Sequence, residues 1–87
     1  IFDAKTMKAA GEAYIKQVPA EDSRNKLVGM LTGSGNITAT TAAPAVHSYY
    51  DERTKEDFKA LKTVIVSGWV LAVTEARQCA LYSLTQN

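Results

Sequence analysis

One cysteine in 87 residues, Cys79, excludes an internal disulfide and is too few for a cysteine-based metal site. One histidine, His47, with scattered acids falls short of a zinc site and has no nucleophile fixed beside it by any motif. Charge of one sign is also missing. Ten basic and nine acidic residues leave a formal charge of +1, with no long-range field to draw in nucleic acid. No run approaches the ~20 apolar residues that a membrane-spanning helix requires. Gly33-Ser34-Gly35 lacks the lysine and the preceding strand of a P-loop. Internal repeats and heptads of useful length are absent.

What remains is a composition 46% hydrophobic and 22% charged, that of an ordinary globular chain. At this length about 60–65% of the unfolded surface is buried, so one small domain over 1–87 is expected, with a thin stability margin. The periodicity predicts a mainly α fold of about four helical segments, with a short β-hairpin around Ser67-Gly68 and a flexible loop over about 33–44.

Asp3 is a good N-cap for a first helix to about Gln17, whose stripe is Met7, Ala10, Gly11, Tyr14 and Val18. Phe2 is placed to staple onto Met7. A glycine on that stripe costs about 1 kcal/mol against alanine, which implies that another element packs close at Gly11. Pro19 ends the helix and is suited to opening the next, with Ala20, Glu21 and Asp22 at its positive end and Leu27, Val28 and Leu31 as its buried face. Asp22 and Lys26 are spaced to pair, and this helix should stop near Thr32-Gly33.

Asn36-Ile37-Thr38 matches the N-glycosylation acceptor pattern, a match common by chance. From Pro44 to about Lys62 a third helix is expected, with Val46, Tyr50, Thr54, Phe58 and Leu61 inward and Asp51–Lys55 and Arg53–Asp57 pairs on a solvated face. The β-branched run Thr63, Val64, Ile65, Val66 and the turn-forming Ser67-Gly68 read as a hairpin over 63–71. One continuous helix over 57–84 is the competing reading. Beyond the hairpin, Ala76, Cys79, Ala80 and Leu84 share one helical face, with Thr74 as its N-cap and Glu75 at its positive end. On that face Cys79 reads as a small buried hydrophobe.

Two sets of side chains invite a functional reading. His47 lies one turn before Asp51, a pair that could orient an imidazole for base catalysis in a ligand-binding or enzymatic domain. The bland alternative is a surface histidine on a solvated face. The acids Asp51, Glu52, Glu56 and Asp57 point in several directions on a helix and make no two-carboxylate site. The aromatics are the second set. Trp69 at a hairpin turn and the adjacent Tyr49 and Tyr50 are too many to point inward together. Trp69 and Tyr49 are therefore the predicted partner interface, with Trp69 as a core anchor the competing reading.

The segment 57–84 carries a resemblance, above all Gly68-Trp69-Val70-Leu71-Ala72-Val73-Thr74-Glu75-Ala76-Arg77-Gln78-Cys79-Ala80-Leu81. It resembles the C-terminal part of small subunits, exported by the twin-arginine pathway, of bacterial membrane-bound flavin-dependent sugar and alcohol dehydrogenases. The likeness covers the last third of the chain, with weaker support from the first helix. Family members have a second aromatic and then a glycine where this chain has Val70 and Ala72, a departure that leans toward a helix through Trp69.

The resemblance implies a non-catalytic accessory subunit that stabilises or escorts a larger oxidoreductase, with any flavin or haem on that partner. It transfers no catalytic, cofactor-binding or metal-ligating residue to this chain. It also implies a periplasmic or cell-envelope location after leader removal, with which a chain beginning at Ile1 is compatible. A self-assembling structural unit is the further alternative.

Overall fold

The computed structural model describes residues 3–33, 35, 37, 38 and 40–86. Its order is α1 (Ala4–Gln17), a 3-10 turn (Pro19–Glu21), α2 (Arg24–Thr32), α3 (Ala43–Lys59), β1 (Thr63–Val66), β2 (Trp69–Ala72) and α4 (Val73–Leu84). The fold is mainly helical, with four helices and one antiparallel two-stranded hairpin. Residues 69–72 are strand, so the competing helix through Trp69 is excluded. The β-branched run Thr63–Val66 and the turn at Ser67-Gly68 outweigh the helical lean of Val70 and Ala72.

α4 is the centre of the packing: α1, α2, α3 and both strands contact it. Its buried side chains are all small, namely Thr74, Ala76, Cys79, Ala80 and Ser83. Small side chains let neighbouring backbones come close, and α1 does so at Gly11. A Cβ placed on Gly11 would lie 2.1 Å from the Cys79 carbonyl oxygen and 2.8 Å from the Ala80 nitrogen. The missing side chain is what allows the two helices to cross there. Around the crossing, Ala10, Tyr14, Leu27, Val66, Leu71 and Ala76 complete the core.

Asp3 caps α1 as expected, its Oδ1 accepting the Thr6 N–H at 2.7 Å. The Phe2 staple and the Asn36 acceptor lie outside the described residues. Pro19 opens only the 3-10 turn, and Ser23 caps α2 by accepting the Lys26 N–H at 3.3 Å. Glu21 is thereby released from the helix start and turns inward. Its carboxylate takes two hydrogen bonds from Arg77 of α4, at 3.0 and 3.1 Å, and one from the Tyr14 hydroxyl at 2.8 Å. Lys26 donates to the Ala20 carbonyl at 3.2 Å and makes no pair with Asp22. On α2 only Leu27 and Leu31 are buried, while Val28 is 40% exposed, because α2 meets its neighbours along a single edge.

α3 begins at Ala43 and ends at Lys59, and none of its residues is fully buried. Val46, Tyr50 and Thr54 are half-buried as expected, but Phe58 and Leu61 are exposed. The inward position at that end belongs to Asp57, whose Oδ2 accepts the Thr74 N–H at 2.8 Å. Thr74 is therefore not the cap of α4 but lies within it. The helix start is held by Asp57 from another helix and by Glu75, which accepts the Ala72 N–H at 3.0 Å. The expected surface pairs shift accordingly. Lys55 meets Glu52 at 3.8 Å, and Arg53 turns toward the end of α2. In the loop, Thr38 and Thr41 close a turn, the Thr38 N–H donating to the Thr41 hydroxyl at 2.9 Å.

Candidate functional site

Six large hydrophobic side chains are exposed among the described residues, and five of them, Phe58, Leu61, Ile65, Trp69 and Val70, lie between positions 58 and 70. Soluble domains leave single apolar side chains in water routinely, but such a concentration in one stretch makes it the candidate site of this chain.

Its geometry follows from two turns. At the end of α3 the Lys62 N–H donates to the Asp57 carbonyl at 2.7 Å and the Leu61 N–H to the Phe58 carbonyl at 3.2 Å. This paired closure is the Schellman motif, which demands a left-handed residue, and Leu61 supplies it at φ 60°. Glycine is the usual occupant, because a Cβ makes that conformation costly. Leu61 bears this cost while 85% exposed, so burial in the monomer does not repay it.

The second turn joins the strands. Ser67 and Gly68 both have positive φ, 49° and 82°, the signature of a type I′ turn. The register pairs Val66 with Trp69, Ile65 with Val70 and Val64 with Leu71. Side chains alternate, so Val64, Val66, Trp69 and Leu71 share one face while Ile65 and Val70 stand together on the other. Val66 and Leu71 enter the core, Trp69 is half-exposed at the tip of the same face, and the Ile65–Val70 pair is 66% and 59% exposed.

A two-residue turn makes Val66 and Trp69 the closing hydrogen-bonded pair, so the N–H and C=O of Ile65 and Val70 point away from the partner strand. On β1 that edge is used: Gln17 donates to the Ile65 carbonyl at 2.6 Å. On β2 the equivalent groups belong to exposed Val70.

Tyr49 belongs to a different part of the molecule. It is half-buried, packs edge-on against Tyr50 with ring centroids 5.3 Å apart, and carries the Arg53 guanidinium 5.4 Å from its ring centre. Arg53 donates to the Met30 and Leu31 carbonyls and to the Tyr49 hydroxyl, and Tyr50 donates to the Leu31 carbonyl at 3.0 Å. These bonds satisfy the orphan carbonyls at the end of α2. Tyr49 thus serves the α2–α3 junction, while Trp69 stands beside the hairpin turn.

His47 and Asp51 are both exposed and share an open cleft between α3 and α4 with Tyr50, Thr54, Glu75 and Gln78. Among the described residues no hydrogen bond joins the two, and no group of three or more His, Cys, Asp or Glu side chains gathers to hold a metal. Burial pushes the Cys79 thiol up, with Glu75 adding to the effect, so at neutral pH it is a protonated packing group.

Periodicity does not identify Phe58, Leu61, Ile65 and Val70 as surface residues, yet all four are exposed. The signal that could have found two of them was available: a two-residue turn fixes the register, and the register puts Ile65 and Val70 opposite the core face.

No helix among the described residues is long and apolar enough to cross a membrane. No family model, curated protein or solved structure matches this chain.

Proposed function

We propose that this chain is a non-catalytic small subunit that binds and escorts a larger, exported flavin-dependent oxidoreductase. Docking would use the corner where α3 ends and the hairpin begins. The observation that carries the reading is the set of exposed apolar side chains at 58–70, with Leu61 held in a left-handed conformation that gives the monomer nothing in return. Trp69 at the hairpin tip is the natural anchor, since tryptophan dominates interface energetics where it is desolvated. The resemblance of the last third to small dehydrogenase subunits supplies the class of partner, and any flavin or haem would reside there.

Native purification from the source, with mass spectrometry of what co-elutes, tests this directly. A flavin- or haem-bearing dehydrogenase at fixed stoichiometry is the expected result, and Trp69→Ala should weaken that association far more than it lowers Tm. A chain that elutes alone, as a compact monomer, would sink the proposal.

A second reading rests on the cleft that His47 shares with Asp51, Glu75 and Gln78, which would suit a small polar ligand. His47→Gln with any such binding or activity intact would remove it.

A further inference from the structure

We infer that the docking site on the partner is an apolar pocket rimmed by carboxylates, and that it belongs to a protein, not to a lipid surface or a second copy of this chain. The inference rests on the docking reading above and deepens it by naming the chemistry that receives the corner.

Charge is the first argument. From Phe58 through Thr74 the only charged residues are Lys59 and Lys62, and both are exposed. The nearest acid before them, Asp57, is turned to the start of α4, where it accepts the Thr74 N–H at 2.8 Å. Glu56 shares a shallow cleft with Lys62, yet among the described residues no ion pair joins them. Lys55 is engaged with Glu52. The exposed hydrophobics are therefore flanked by two lysines that, among the described residues, enter no ion pair. Carboxylates at the rim of a pocket would meet them and steer the encounter.

The same charges argue against a second copy. A two-fold contact on this corner sets the same surface against itself, and between Phe58 and Thr74 that surface holds two lysines and no acid to meet them.

The strand edge argues against lipid. The register turns the N–H and C=O of Val70 outward from β2, among the side chains that would have to enter the bilayer. Hydrocarbon offers those groups no hydrogen-bond partner, and burying them unpaired is strongly unfavourable. A protein pocket can meet them with its own backbone, as an added strand does. Two lysines are attracted too weakly to an anionic surface to offset that loss.

The test uses the complex recovered from the source and a Lys59→Glu/Lys62→Glu chain, with Lys59→Gln/Lys62→Gln as the neutral control and thermal melts to confirm folding. Association of each chain with the separated large subunit is then followed at low and high salt. Charge reversal should slow association about tenfold at low salt, neutralisation less, and both effects should fade at high salt. In the native complex, carbodiimide should couple Lys59 or Lys62 to aspartate or glutamate side chains of the large subunit.

If the complex forms and charge reversal leaves association unchanged, the carboxylate rim is wrong while the subunit reading stands. If no large subunit is recovered, both fall. Binding to phosphatidylglycerol–phosphatidylcholine vesicles that charge reversal abolishes would make lipid the occupant. A dimer in solution that Ile65→Ser/Val70→Ser dissolves would make it a second copy. Either result overturns the inference.

Discussion

The crossing of α1 over α4 and the corner at 58–70 handle their backbones in opposite ways. At the crossing a glycine is spent where alanine would be the better helix former, and the return is contact between two backbones with Cys79 and Ala80 beneath. At the corner a leucine occupies a left-handed position where glycine would be the better turn former, and its side chain goes to water. Each site breaks a local preference. The first violation is explained inside the fold and the second is not, which is why the corner, and not the crossing, reads as functional.

The largest expected effect comes from breaking the crossing. Gly11→Ala puts a Cβ into the Cys79 carbonyl, and neither helix backbone can yield without moving the other. Overpacking of this kind costs about 3 kcal/mol at its upper end, against a gain of about 1 kcal/mol in helix propensity. A net loss near 2 kcal/mol should lower Tm by on the order of 10–15 °C in a domain this small. An unchanged melting curve would mean that the helices do not approach as described.

Next to the crossing, the Tyr14–Glu21–Arg77 cluster ties α1, the 3-10 turn and α4 together. The Arg77 hydrogen bond holds the Glu21 carboxyl below its usual range, assisted by the Tyr14 hydroxyl and opposed by burial. A lowered folded-state pKa gives stability that is present above the unfolded carboxylate range and lost as pH falls through the folded value. Acid should therefore weaken the fold below about pH 4.5, and Glu21→Gln should flatten that part of the pH profile. Because Glu21 and Arg77 retain 15% and 24% side-chain exposure, the variant should lose about 1–2 kcal/mol at neutral pH, less than a fully buried pair would.

Burial and the Glu21 bond push Tyr14 up to about 12. Its contribution is complete below about pH 10, where the unfolded tyrosine begins to ionise, and is lost as pH rises toward the folded value. Tyr14→Phe should remove that alkaline limb, and denaturant titrations at several pH values check both ends.

Sequence patterns made the crossing legible because one residue carried it: a glycine on an apolar stripe already implies close approach, and the Asp3 cap and the hairpin are equally local. What periodicity could not read was which neighbour arrives at each face. Val28 and Phe58 have helical spacing suited to burial, but α2 and α3 each meet the rest along one narrow edge. Thr74 has the chemistry of a cap, yet Asp57, seventeen residues earlier, does that work from another helix. Adjacency to Tyr50 points Tyr49 toward the surface, but its engagement with Arg53 depends on where α2 ends. Leu61 was the hardest to foresee, since a left-handed leucine leaves no mark in composition or period.

The corner can be sharpened in the other direction, toward greater stability. Leu61→Gly removes the Cβ from a left-handed position and should stabilise the monomer by about 1 kcal/mol. If Leu61 is kept for docking, the same change should weaken association with the large subunit. A variant that is more stable and binds as before would show that the leucine serves no contact, and the contrast between the two regions would lose its functional meaning.

The smallest effect separates the hairpin's shape from its exposed face. Ser67 occupies the first central position of a type I′ turn at φ 49°, where asparagine is strongly preferred because its side chain tolerates positive φ. Ser67→Asn should stabilise the hairpin by a few tenths of a kcal/mol, read as a small rise in Tm and slower amide exchange at β1 and β2. Nothing on the Ile65–Val70 face changes in this variant, so association should match the parent or improve slightly as the hairpin becomes better ordered. Weaker association from a firmer hairpin would mean that the partner recognises a different conformation of this turn. Together with Leu61→Gly it isolates what docking requires: the first variant keeps the apolar contacts and steadies the backbone under them, and the second steadies the backbone and removes one contact.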